Sequence, residues 1–590
     1  MKLARSILLA LAAAAAGCSI PLFDAEPAPV NECSSSDDCA TGGVCAAVGS
    51  GNACVATRAD LPGLLLEIRP GATTTKGAGV TSFVDLADQG LTLQDVVSAG
   101  QVRRFDPQLP VPARIEGALR LPAGAPRCGL PAPGDASFPA RFVFRRVARL
   151  PGLPPEEYTA TSQPDTDDEG QLHHLFQLDL PVGTYDIYIA PELPPDCADG
   201  PLPIFLPAQP IDSSGRLNIE PGPPQRLWGK LLVPSSMRVD GWTLELVDPE
   251  HGDLISDSLL LMQTQGDQSV DFDLDYDWTS TDFAPLIRLR PPAGEALPTL
   301  HWDLSAVAIL ISPSTGLELS LADLDAVPRH VEGQVLDTDG APVVATVQIQ
   351  SAEIAGDTSS TAKYRLEVET DESGVFAADL PPGRYRVVAR PVDLFHAAAV
   401  KEIEFSAAEG CFCGQSIEVP NMTLLGGSAA GPVGEAMGSA SVVASPSALA
   451  SSRYFDQVLT LSPLQPRESS TQLFGGAFAL EVDPGYFDLS IRPADGSGYP
   501  WLARPRLSVA GADITAEVDL GALTVPYPAV LHGVIRNTDG EPLPGAVVRA
   551  WLPVGDPTDK DEPVGVIQIG ATLARGDGSY ILPLPPSLSE

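Results

Sequence analysis

The sequence has little with which to span a membrane, grip a polyanion or run a known catalytic motif. Of 590 residues, 36 are Lys or Arg and 76 are Asp or Glu, a formal net charge of -40. Lysine is confined to Lys2, Lys76, Lys230, Lys363, Lys401 and Lys560. A surface so acidic repels phosphate backbones and anionic headgroups, which argues against nucleic acid as a partner. The apolar run from Ile7 to Ala16 is shorter than the ~20 residues that a membrane helix needs. With 59 prolines and 54 glycines, long helices have no room. The 7 histidines fall in no HExxH or HxxE pattern, and His173 and His174 are neighbours on one strand that point to opposite faces. There is no GxSxG elbow, phosphate loop or dinucleotide fingerprint, and the SxxK from Ser360 to Lys363 lacks its companion motifs. The expectation is no catalytic residue, no metal site and no cofactor.

What is present begins with a targeting segment. Lys2 and Arg5 precede the short apolar run, which ends Ala15-Ala16-Gly17-Cys18. The run resembles the lipobox of bacterial lipoproteins, and the resemblance implies that residues 1–17 are a signal peptide and that Cys18 carries the lipid. Ser19 after the Cys implies the outer membrane, facing either the periplasm or the surface. Residues 18–32 then read as a tether.

Of 9 cysteines, setting Cys18 aside leaves an even number. Cys33, Cys39, Cys45 and Cys54 crowd into a module at 33–57 too small to build a core, so two disulfides are the natural staple. Three pairings are possible; zinc is the rival reading, without a CxxC pair or a nearby His. Cys128 and Cys197 flank a repeat and can bridge each other. Cys411 and Cys413, one residue apart, read as a clip between domains.

The body repeats a phrase. Leu180 to Pro191 reads LPVGTYDIYIAP, Leu380 to Pro391 reads LPPGRYRVVARP, and Val482 to Pro493 reads VDPGYFDLSIRP. Each has Gly at its fourth place (Gly183, Gly383, Gly485) and an aromatic at its sixth (Tyr185, Tyr385, Phe487). Pro cannot continue a ladder and Gly permits a tight turn, so the phrase reads as a hairpin followed by a terminal strand, the aromatic plugging the core. Apolar alternation such as Val331-Glu332-Gly333-Gln334-Val335 marks half-buried strands. The expected class is all-β: tandem antiparallel sandwiches of a seven-stranded type.

Openings at His330 to Pro342 and at Leu531 to Pro542 share a strand, a Thr-Asp-Gly turn and a Pro. With the closing phrase, they resemble the carboxypeptidase regulatory-like domain, a prealbumin-like sandwich. The resemblance implies rigid modules without an active site of their own. Related surface domains self-link through a Lys–Asn isopeptide bond; neither opening carries the lysine, and Lys230 is the remaining candidate. The expected organisation is an uncertain β segment at 58–110, then sandwiches at 111–222, 223–327, 328–420, 421–526 and 527–590, strung as a rod. The last copy lacks the aromatic and its final strand, so it either borrows a strand or is incomplete.

Asp337 to Gly340 and Asp165 to Glu169 look like calcium-loop fragments, although Asp-Gly is also an ordinary turn. Arg575-Gly576-Asp577 reads as a chance tripeptide. The expected function is a lipid-anchored cell-envelope protein acting as a structural or binding, adhesion-type module without catalysis. Its partners would be the membrane, through the lipid, and a protein or glycan. Alternatives are an accessory subunit of an envelope export or polysaccharide system, and a diverged hydrolase. Trp228, Trp242, Trp278, Trp302, Trp501 and Trp551 are the candidate contact side chains.

Overall fold

The computed structural model describes residues 31–589 apart from 41–42, 49–50, 60, 62, 72–79, 92–96, 99–100, 122–136, 148–152, 154–155, 167–171, 194–199, 236, 279–283, 294–296, 308–315, 322–328, 355–362, 407–410, 448–453, 460, 462–464, 511–516 and 556–564. Cys18, Cys128 and Cys197, with the signal peptide and most of the tether, lie outside the described residues.

The chain is nearly all β, in two-sheet sandwiches built on one plan. The third sandwich shows it most fully. Its first strand, Arg329–Asp337, lies between the fourth, Val375–Leu380, and the seventh, Cys411–Val419. The facing sheet runs Lys363–Glu369, Ala345–Ile354, Gly383–Pro391, Ala399–Phe405, which are the third, second, fifth and sixth strands. The first and seventh strands pair in parallel, from His330 opposite Cys411 to Asp337 opposite Val419. The other ladders within the sandwich are antiparallel. Alternate residues Val331, Val335, Val347, Ile349, Val387 and Ala389 fill the space between the sheets. Cys411 and Cys413 are bonded to each other at the start of the seventh strand.

The repeated phrase differs from a hairpin. Val375–Leu380 belongs to one sheet and Gly383–Pro391 to the other, and the same split separates Leu172–Leu180 from Gly183–Pro191 and Ala477–Val482 from Gly485–Pro493. The Pro-Gly stretch is therefore an arch that carries the chain across the sandwich. This placement puts Tyr185, Tyr385 and Phe487 between the sheets, each fully buried. The two phenols donate to the carbonyl oxygens of Pro181, at 2.6 Å, and Pro381, at 2.7 Å, which ties the arch to the strand that follows it. Gly485 has φ 146°, a conformation that disfavours a side chain, whereas Gly183 has no positive φ. Nor is the phrase terminal. Two more strands follow each copy before the next sandwich, the second of them pairing with the opening strand.

The segment at 58–110 and the last stretch of the chain form one sandwich. Ala529–Val534, Val547–Val554, Gly565–Leu573 and Ser579–Leu584 supply the first four strands. Leu65–Arg69, Ser82–Asp85 and Gln101–Arg104 supply the fifth, sixth and seventh. Leu65–Arg69 pairs with Val547–Val554, Leu66 opposite Ala550. Gln101–Arg104 runs parallel to the opening strand, Arg103 opposite Leu531, the same pairing that closes the other sandwiches. The last sandwich is thus a circular permutation of the others, taking its last three strands from the N-terminal segment. Leu64, Leu66 and Ile68 join Leu531, Val548, Ala550, Tyr580 and Leu582 in one core. Burying a side chain of this size contributes roughly 1.5–3 kcal/mol, so the three donated residues matter on the scale of a whole domain's stability. Gly533 makes the parallel pairing possible: a Cβ there would lie 1.8 Å from the carbonyl oxygen of Phe105.

A simple rod does not describe how the sandwiches meet. The first and second share a sheet through Ile204 opposite Asp277, and the second and third through Leu300 opposite Tyr364. A short helix of the fourth, Tyr454–Leu459, reaches back to the second, where its amides at Tyr454 and Phe455 donate to Glu250 and Pro249 at 2.8 Å. Arg467 binds the carbonyl oxygens of Pro391, Asp393 and His396 of the third sandwich while paired with buried Asp483. The cystine module, stapled by Cys33–Cys45 and Cys39–Cys54, sits where the fourth and fifth sandwiches meet. There Ala40 N–H donates to Tyr527 Oη at 2.6 Å, Ala56 N–H donates to Pro528, and Asn31 N–H donates to Ser497.

Leu66→Ala should therefore destabilise the C-terminal sandwich by about 2–5 kcal/mol. Denaturant unfolding followed by limited proteolysis checks this: fragments from residues 527–590 should be released at lower denaturant than in the parent, although residue 66 lies at the other end of the chain.

Candidate binding site

The outer face of the second sandwich carries the most accessible aromatic platform among the described tryptophans. In Gln225–Leu232 the apolar side chains Leu227 and Leu231 point inward. The intervening Arg226, Trp228 and Lys230 point to solvent, as period-two alternation requires. Across the antiparallel ladder, Arg226, Trp228 and Lys230 face Asp275, Asp273 and Asp271. Arg226 reaches diagonally to both carboxylate oxygens of Asp273, and Lys230 Nζ lies 3.6 Å from Asp271. On the other flank, Lys230 is opposite Glu318 of the parallel strand Leu317–Ser320. That strand can lie so close because a Cβ at Gly229 would be 1.9 Å from the carbonyl oxygen of Leu317. Arg226, Trp228, Lys230, Leu259, Asp271 and Asp273 line a groove of about 670 Å³.

Trp228 is 43% exposed, with Gly316 packed against its six-membered ring. The other tryptophans are engaged elsewhere. Trp242 and Trp302 are core. Trp278 stacks on Phe205 at 5.1 Å across the joint of the first two sandwiches. Trp501 lies under the Arg492 guanidinium, and Trp551 Nε1 donates to buried Glu67 at 2.9 Å. Sequence alternation alone does not sort these six, because a tryptophan serves equally as core and as platform. Ion pairs as exposed as those of Arg226 and Lys230 contribute little to stability, so their side chains can exchange partners for a ligand at small cost. The groove offers a planar apolar surface flanked by donors and acceptors, which suits a polyhydroxylated ligand. Lys230 faces solvent with Asp271 and not the sandwich core.

Asp337 Oδ1 accepts from the amides of Asp339 and Ala341, closing the Thr-Asp-Gly turn on itself. Hydrogen bonds from the Ser579 side chain and from Ser579 N–H, the latter at 3.0 Å, lower the Asp577 carboxyl pKa, and Gly578 N–H donating to Arg575 O closes the Arg-Gly-Asp tripeptide into a tight turn. Asp248, His251 and Asp253 bring ligand atoms within 4.8 Å of one another. Asp253 is taken by Arg145 of the first sandwich, and Asp248 by the amides of Glu250 and His251 and by the His251 ring. This turn is an interdomain joint. It adjoins a buried polar cluster that sequence inspection missed: Glu245 held by Arg288, Arg290 and Ser258, with His301 Nε2 2.9 Å from Tyr454 Oη. These residues are scattered over more than 200 positions and meet only through the strand register and the reach of the fourth sandwich's helix.

No protein-family profile matches the chain, and no curated protein matches it. Solved structures similar to it include a Streptococcal ancillary pilin, with 11% identity and a TM-score of 0.20, covering 50% of this chain and 99% of that one. A minor pilin of Streptococcus agalactiae aligns with 11% identity and a TM-score of 0.20, covering 34% of this chain and 96% of that one. The major pilin subunit of Bacillus cereus aligns with 8% identity and a TM-score of 0.12, covering 52% of this chain and 99% of that one.

Burial, with Arg288 and Arg365 nearby, pushes the His301 imidazole down to about 3. The folded protein thus holds a neutral ring where the unfolded chain binds a proton near the ordinary value of about 6.5. Its stabilising contribution is complete above that value and is lost as pH falls toward about 3. Urea midpoints measured from about pH 7 to about pH 4 should fall in the parent and fall less in His301→Gln.

Proposed function

We propose that this protein is a lipid-anchored structural and adhesion-type module of a bacterial envelope, built from carboxypeptidase regulatory-like sandwiches. Cys18 carries the lipid, at the outer membrane, and the groove around Trp228 takes a glycan. The observation that carries this reading is the asymmetry of the molecule. The cystine module places Asn31, the first described residue, against Ser497 and Gly498 of the fourth sandwich. The exposed indole lies on the outer face of the second sandwich, away from the residues that bond Asn31. An indole stacks on the C–H face of a sugar ring while neighbouring carboxylates and cations take its hydroxyls. The net charge of -40 supports a hydrated, non-aggregating surface at high density.

Two measurements test the two halves. Cells expressing the full chain should incorporate labelled palmitate into the parent protein and not into Cys18→Ala; equal labelling removes the anchor. On a glycan array, Trp228→Ala should weaken the strongest signals by roughly tenfold, the loss of one aromatic anchor. An array on which parent and variant give the same pattern removes the groove from the function.

A further inference from the structure

The tip of the fourth sandwich has the composition of a lipid contact. Phe474, at the turn between Ser469–Gln472 and Ala477–Val482, is 91% exposed, and Val433, in the neighbouring turn, is 63% exposed. The two turns touch: Ala429 N–H donates to Gly476 O at 2.7 Å, and a Cβ at Gly476 would be 3.1 Å from Ala436 Cβ. In a chain of net charge -40, Met422 to Gly434, Ala436 to Ser452 and Ser469 to Leu480 contain no charged residue. The one charge interrupting the tip, Glu435, is turned onto the protein, where it accepts from Tyr499 Oη at 2.6 Å and Val433 N–H at 3.1 Å. Asp495, exposed in the adjoining turn, disfavours anionic lipid.

The position of this tip matters as much as its composition. Tyr499 follows Gly498, whose carbonyl oxygen accepts from Asn31 Nδ2, and Ser497 O accepts from Asn31 N–H at 3.0 Å. The uncharged tip is therefore only a few side chains from Asn31, the first described residue. Cys18 precedes Asn31 by 13 residues, which span at most about 45 Å when fully extended. We propose that Phe474 and Val433 dock the fourth sandwich onto the zwitterionic bilayer that holds the N-terminal lipid, which rests on the anchor reading above. A lipid alone leaves the protein free to swivel on its tether. A second apolar contact beside the attachment point fixes its orientation, as membrane proteins held by two signals are held more firmly than by one.

The test uses the full, acylated chain in phosphatidylcholine vesicles, with a subset of the lipids brominated to quench indole fluorescence on contact. Phe474→Trp adds an indole at the tip; Leu573→Trp adds one at an exposed site on the fifth sandwich. Flotation with the vesicles is measured first. The expected result is flotation of all proteins, with most of the added emission lost in Phe474→Trp and retained in Leu573→Trp. Flotation with equal quenching at both sites overturns the docking and leaves the anchor standing. Failure of the parent to float overturns the anchor, and the docking with it. Self-association of the parent without vesicles, abolished by Phe474→Ser, identifies the tip as a contact between copies and also overturns the docking.

Discussion

The structure depends on one pairing: the seventh strand of each sandwich lies parallel to its first. Parallel neighbours cannot be joined by a hairpin, so each sandwich must enclose its other strands before it closes. In the last sandwich the enclosed stretch is the rest of the molecule, because Gln101–Arg104 closes onto Ala529–Val534. The same step brings Leu65–Arg69 against Val547–Val554 and sets Leu66 in the core. Contacts so distant in sequence carry a loop-closure entropy cost that the buried core must offset. The fifth sandwich is thus the keystone of the fold as well as its junction with the N-terminal module.

Closing the chain on itself gives the other joints their direction. The first sandwich follows Gln101–Arg104 in the chain and the fourth precedes Ala529–Val534, so in chain order the second and third lie between two neighbours of the fifth. The shared sheets at Asp277 and Tyr364, the clasp of Arg467 and the helix carrying Tyr454 form the joints among them. Polar groups are concentrated at these joints, as buried Asp483, Glu245 and His301 show, while the sandwich interiors are aliphatic and aromatic. Burial alone would raise the Asp483 carboxyl, and the Arg467 guanidinium overcomes it and holds the group below the usual carboxylate range. A joint made this way tolerates little relative movement without exposing an unpaired charge.

Much of this was legible in the residues, and the misses have physical causes. Alternation in Val331 to Val335 and the phrase around Tyr385 point to paired sheets because side-chain direction in a strand is a local property. The same phrase reads equally as a hairpin or as an arch, since Pro and Gly specify a change of direction and not the partner that follows. The permutation stayed hidden for a related reason. Leu61 to Pro70 matches the phrase ending in Ile491-Arg492-Pro493, but it has Leu64 at the aromatic place and its Gly one residue nearer the Pro. Sought by its aromatic, the copy is invisible; sought by Leu66-Glu67-Ile68-Arg69-Pro70, it is not. The groove was half legible: Trp228 stands among six candidates, and only the ladder with Asp271 and Asp273 separates it from the buried ones.

Native-state hydrogen exchange tests the closure most directly. The amides of Leu66 and Ile68 should show protection matching that of Val548 and Ala550, and should lose it together with them as denaturant is raised. Rapid exchange at Leu66 and Ile68 beside protected amides at Val548 and Ala550 would contradict a sandwich completed from the other end of the chain.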